Sequence, residues 1–80
     1  MTITTPAQPT TAPAADDIRL DVISMTEWRV SDRRFASSDS RSVIGFIERR
    51  GFDYEVISVI QPGAARAFGS LATATLSFSE

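Results

Sequence analysis

At 80 residues, the chain has room for one small domain. A domain of this size buries only roughly 60 % of the surface its unfolded form exposes, so a partner would add usefully to its core. It contains no cysteine and no histidine, and all eight basic residues are arginine; disulfides, thiolate zinc sites, thiol nucleophiles, imidazole bases and lysine Schiff bases are therefore excluded.

The formal charge of −2 argues against a general polyanion binder. Charge is unevenly spread, however: residues 26–66 hold seven arginines against six acids, a net of +1, and the acidic excess sits at the ends. Residues 1–15 are threonine, alanine and proline apart from Met1, Gln8 and Ile3, the one branched aliphatic. With prolines at 6, 9 and 13 and so little apolar surface to offset ordering entropy, a disordered tail is predicted. Pro6 and Pro9 form a bare PxxP with no flanking arginine, which does not assign a proline-motif ligand. The N-terminus shows neither a basic stretch nor an apolar signal segment, and no run approaches the ~18 apolar residues that span a bilayer. A cytoplasmic location and no membrane association are the expectation.

Asp16 and Asp17 mark the start of a single domain over 16–80. Ile18, Leu20 and Val22 alternate with Arg19 and Asp21, the period of a half-buried strand. A second run, Thr26 to Val30, puts Trp28 and Val30 on one side and Glu27 and Arg29 on the other. The pattern leaves open whether 18–30 is one bent strand or two, with Met25-Thr26-Glu27 as the bend. Ser31 to Ser42 reads as a polar loop with Phe35 its one large apolar residue. Twelve residues is long for a connection and marks the loop as functional or mobile. Asp39 or Ser38 is placed to cap a single helical turn within it.

Ser42 to Gln61 reads as a central β-hairpin, two β-rich runs broken once near Gly51. A two-residue loop at Arg50-Gly51 would oppose Glu48 to Asp53, and directly opposed like charges destabilise a ladder. A three-residue loop with Gly51 left-handed instead pairs Glu48 with Phe52, Phe46 with Tyr54 and Ile44 with Val56, and is the expected register. In that register Gly51→Val costs on the order of 1–2 kcal/mol, and Gly45→Ala costs less unless a ring packs on that glycine. Pro62-Gly63 then makes a turn, and Ala64 to Phe68 offers a short edge strand.

Ser70 to Glu80 carries two patterns. Ala72, Ala74, Leu76 and Phe78 alternate as in a strand; Leu71, Ala74, Thr75 and Phe78 share one helical face behind Ser70, a good N-cap. The helix is preferred because the sheet needs a cover on its apolar face. The expected fold is α+β, a small antiparallel sheet of three or four strands with a C-terminal helix, and all-β if the last segment is a strand.

Trp28-Arg29-Val30-Ser31-Asp32 and Gly45-Phe46-Ile47-Glu48, followed by Phe68-Gly69-Ser70-Leu71, resemble a group of short proteins of high-GC Gram-positive bacteria to which no activity is attached. The resemblance covers about Leu20 to Phe78 and implies a sheet followed by a C-terminal helix. In outline alone, the order of hairpin, strand and helix is also similar to integrase-arm DNA-binding domains, a likeness that transfers no residue.

The chemistry left to the chain is carboxylates, hydroxyls and guanidiniums. Asp53 and Glu55, about 7 Å apart along one strand face, lack a third ligand, so no metal, cofactor or catalytic residue is expected; the plain reading is a solvated face opposite Arg29 or Arg66. Neither a GxGxxG nor a Walker loop is present. Two pairs, Arg33/Arg34 and Arg49/Arg50, are candidates to straddle a phosphate backbone with Trp28, Phe52 or Tyr54 to stack, an accessory nucleic-acid reading that local acids oppose. Trp28, Phe35 and Phe52 exceed what a fold this small fully buries, and tryptophan and arginine are enriched at interface hot spots. The plainer role for Trp28 is core. The sequence therefore points to a non-catalytic binding module acting through protein contacts or self-association, with Trp28, Arg33, Arg34, Arg49, Arg50 and Phe52 as candidate partner-binding residues.

Overall fold

The computed structural model describes residues 12–60, 63 and 65–79. Five strands, β1 (Ile18–Ser24), β2 (Glu27–Asp32), β3 (Val43–Arg50), β4 (Asp53–Ser58) and β5 (Arg66–Phe68), form one antiparallel sheet in chain order. A six-residue helix α1 (Leu71–Leu76) follows and runs into a single 3-10 turn, Ser77–Ser79. The architecture is α+β, with five strands rather than the three or four expected. Both open questions resolve upward: 18–30 is two strands around a turn at Met25-Thr26, and Arg66–Phe68 does pair with β4.

The β3–β4 register differs from the expected one. Arg50 pairs with Asp53, Arg49 with Tyr54, Glu48 with Glu55, Ile47 with Val56 and Phe46 with Ile57. The loop is thus the two residues Gly51-Phe52, and the expected pairs Glu48–Phe52, Phe46–Tyr54 and Ile44–Val56 do not form. Gly51 takes φ +62° at the first loop position, where a two-residue hairpin favours glycine. Opposite charges on Arg50 and Asp53 close the ladder beside it. This register does oppose Glu48 to Glu55, but the Arg50 guanidinium lies 3.5 Å from each carboxylate and offsets their repulsion.

Register also sorts the faces, because directly paired residues share a side of the sheet. Val22, Trp28, Ile47 and Val56 form one row, and Leu20, Val30, Gly45 and Ser58 the next. Val30 and Ile47 are wholly buried at the centre, and Ile18, Ile44, Val56 and Ala74 close around them. Ile44 reaches this core through a bulge: Val30 pairs with Gly45 but Ser31 with Val43, so Ile44 has no partner on β2 and is re-aimed. On the opposite face the row Asp21, Arg29, Phe46, Ile57 stays open, and Asp21 accepts from both Arg19 (3.2 Å) and Arg29 (3.3 Å).

Helix α1 covers the buried face over β3, β4 and β5. The Ser70 hydroxyl accepts the Thr73 N–H (3.1 Å), as an N-cap should. Ala74 is buried and Leu71, Thr75 and Phe78 are half-buried, while Ala72, Thr73 and Leu76 face out. The helical face read from the sequence is the one that packs. Phe78 carries it onto β3, where its ring lies directly against Gly45. The condition under which Gly45 was expected to resist substitution is therefore met.

Residues 1–11 of the predicted tail, with Pro6 and Pro9, lie outside the described residues. Pro13 is buried, and Ala15–Asp17 form a 3-10 turn in which the Asp17 carboxylate accepts the Ala14 N–H (3.0 Å). The Asp17 carbonyl oxygen also accepts the Arg33 N–H (2.6 Å), joining this turn to the end of β2. Packing thus reaches back to Pro13. Among the described residues no helix is long and apolar enough to cross a membrane.

Candidate interaction surfaces

In an antiparallel meander alternate turns fall at the same end. The β1–β2 turn, Met25-Thr26, and the β3–β4 turn, Gly51-Phe52, are therefore neighbours, and the Thr26 carbonyl oxygen accepts the Arg49 N–H at 2.8 Å. Each turn lifts its apolar residue off the sheet: Met25 is 94 % and Phe52 93 % exposed. Val22 and Ile23 add to the same end. Ile23 sits in a second bulge without a cross-strand partner, and Val22 lies on the buried face beyond the reach of α1, 74 % exposed. Trp28, opposite Val22, is half-buried with its ring tilted 50° against Tyr54 at 5.8 Å between centroids. Its core role and its place at this end coexist.

Of the six candidate residues, four gather here. Arg49 is exposed and its Nε donates to the Gly51 carbonyl oxygen (3.3 Å), while Arg50 is held between Glu48 and Glu55. Arg33 and Arg34 follow β2 and lie at the other end of the sheet, roughly 20 Å away along β3 by strand geometry. The two arginine pairs do not form one site. Val22, Ile23 and Met25 were missed from sequence. The usable signal was Met25 itself, a long apolar side chain at the tip of a tight turn where polar residues and glycine are the rule.

At the far end Arg34 and Arg41 are tied down. Arg34 forms a two-pronged pair with Asp32, its Nε and Nη2 at 3.0 and 2.8 Å from the two carboxylate oxygens, and its own N–H also donates to Asp32 (2.9 Å). The Arg34 side-chain hydrogen bonds hold the Asp32 carboxyl below the usual carboxylate range, against the opposing effect of burial. Asp39 repeats the pattern, accepting the Arg41 N–H (2.9 Å) and guanidinium (2.6 Å), which also lowers its pKa. It caps the 3-10 turn Ser40–Ser42, and the Arg41 guanidinium lies 5.2 Å from the Phe35 ring centroid. Residues 33–42 are thus braced by local charge pairs.

In comparisons with known proteins, no family model matches the chain, and neither a curated protein nor a solved structure does. The geometry stands by itself. Among the described residues no three His, Cys, Asp or Glu side chains are grouped to hold a metal ion. Glu55 faces Arg50 rather than the expected Arg29 or Arg66.

Proposed function

We propose that the chain is a small, non-catalytic cytoplasmic module that works by protein–protein contact, and that its partner is a second copy of itself. The observation that carries this reading is the pair of adjacent turns presenting Met25 and Phe52 almost wholly to solvent, beside Val22 and Ile23. Isolated exposed apolar residues are ordinary, but large ones clustered at one end favour an interface. The charges around them are mixed, Glu27, Glu48 and Asp53 with Arg49 and Arg50, so a two-fold axis can set opposite signs against each other. A small core also gains from the added burial.

Mass measured across a concentration series, at low and high salt, tests the proposal. A rise from 8.7 kDa towards twice that mass, insensitive to salt and abolished by Met25→Ser with Phe52→Ser, is the expected result. A constant monomer mass up to millimolar chain would sink it. The nucleic-acid alternative has less support, since its two arginine pairs stand at opposite ends and Arg34 and Arg50 already hold acids. It would show as salt-labile binding to mixed-sequence DNA or RNA, with the salt slope falling by about two units when Arg49 and Arg50 become alanine.

A further inference from the structure

At the end of the sheet away from Met25 and Phe52, a cleft of about 260 Å³ opens beneath residues 33–42. Arg19 and Arg33, the hydroxyls of Ser31, Ser37 and Ser42, and the Phe35 ring line it, with Asp32 in its wall. Ser31 and Ser42 are only 2 % and 3 % exposed, yet neither hydroxyl hydrogen-bonds to a protein group among the described residues. No described side-chain polar atom that is fully occluded lacks a partner, so both hydroxyls are reached from the cleft. A sequestered hydroxyl with no protein partner costs free energy unless something in the cleft completes its hydrogen bonds.

Water meets that need in an open cleft, and the charge around it favours an anion in the water's place. Both carboxylate oxygens of Asp32 are taken up by Arg34, so Asp32 does not repel an anion as a bare carboxylate would. Asp21 is shared between Arg19 and Arg29, which leaves one positive charge over. The Arg33 guanidinium has no ion pair among the described residues; Asp17, 3.9 Å from Arg34, is the nearby counterweight. The balance is about one positive charge facing a set of donors. Guanidiniums with hydroxyls suit the several acceptor oxygens of a phosphate. The volume lies below the ~300 Å³ at which ordinary ligand pockets begin, so the ligand is small, and Phe35 offers its carbon part an apolar wall.

We propose that this cleft binds a small phosphate monoester, with Arg19 and Arg33 holding the phosphate and Ser31 and Ser42 donating to its oxygens. The site is separate from the self-association surface and requires neither its presence nor its absence.

Amide chemical shifts followed while inorganic phosphate or phenyl phosphate is added at constant ionic strength test it, with benzoate as the carboxylate counterpart. Saturating shifts at Ser31, Arg33 and Ser42, tighter for phenyl phosphate than for phosphate or benzoate, are expected. Arg33 is exposed, so Arg33→Gln leaves the fold intact and should weaken binding about tenfold, the loss of one charge-assisted hydrogen bond; Arg49→Gln should change nothing. With no histidine in the chain, raising the pH from 5.5 to 7.5 mainly titrates the phosphate, whose second pKa is about 6, and binding should tighten. Shifts that never saturate, that appear equally at the Arg49-Arg50 hairpin end, or whose midpoint is unchanged by Arg33→Gln would overturn the proposal.

Discussion

A methyl group placed on Gly45 would meet two carbons of the Phe78 ring at 2.5 and 2.7 Å and the Ile57 carbonyl oxygen at 2.6 Å, whereas one on Gly51 would meet nothing within 4 Å. The two glycines are needed for different reasons, one for space and the other for φ +62°. Gly45→Ala should cost about 1–3 kcal/mol, as overpacking does, and Gly51→Val about 1–2 kcal/mol through backbone strain alone. A urea-unfolding cycle separates them. Phe78→Leu should relieve part of the Gly45→Ala cost and leave that of Gly51→Val unchanged; equal coupling to both would refute the packing described. Asp32 supplies a second residue-scale test. Its carboxyl is held below the unfolded value of about 3.9 by the Arg34 hydrogen bonds, so it stabilises the fold above that pH and ceases to do so as pH falls through the lowered value. Asp32→Asn should therefore melt lower than the parent at pH 7, with the gap closing below about pH 4. A gap independent of pH would assign the effect to packing.

At the scale of elements, the hairpin is the most informative comparison between sequence and structure. Strand alternation, the glycine turn, the Asp39 cap and the helical face of Leu71, Ala74, Thr75 and Phe78 were all legible, because each depends on residues close in sequence. The register was not. Both loops the sequence suggests, Arg50-Gly51 and three residues ending at Gly51, keep Phe52 in the ladder, and the loop that forms, Gly51-Phe52, is neither of them. Pairing Arg50 with Asp53 and Ile47 with Val56 outweighs leaving one ring in water. Phe52→Asn should accordingly change the stability of the monomer by no more than about 0.5 kcal/mol; a loss of several degrees in melting temperature would mean that the ring is packed. The candidate site was half legible for a related reason. Residue types named the arginine pairs, but only the pairing of β2 with β3 places them at opposite ends.

For the whole molecule, stability rests on few residues. Among the described residues Val30 and Ile47 alone are large and fully buried, so Ile47→Ala should cost about 2–5 kcal/mol, a large share of the 5–15 kcal/mol typical of folded domains. Loss of the cooperative melt on Ile47→Ala, beside its retention in Phe52→Asn, is the expected contrast. The order of the strands has a kinetic consequence as well. Each strand pairs with its neighbour in the chain, so apart from the longer connection over 33–42 loop closure is short, and the sheet can grow strand by strand from its hairpins. The seat of Phe78 on Gly45 is different, spanning the chain from β3 to its C-terminal turn, and its greater sequence separation predicts that it closes after β4 and β5 are in place. Opening should run in reverse, and native-state hydrogen exchange would show it: amides of α1 exchange through a local lifting of the C-terminal segment, while those of β3 wait for the whole sheet to come apart.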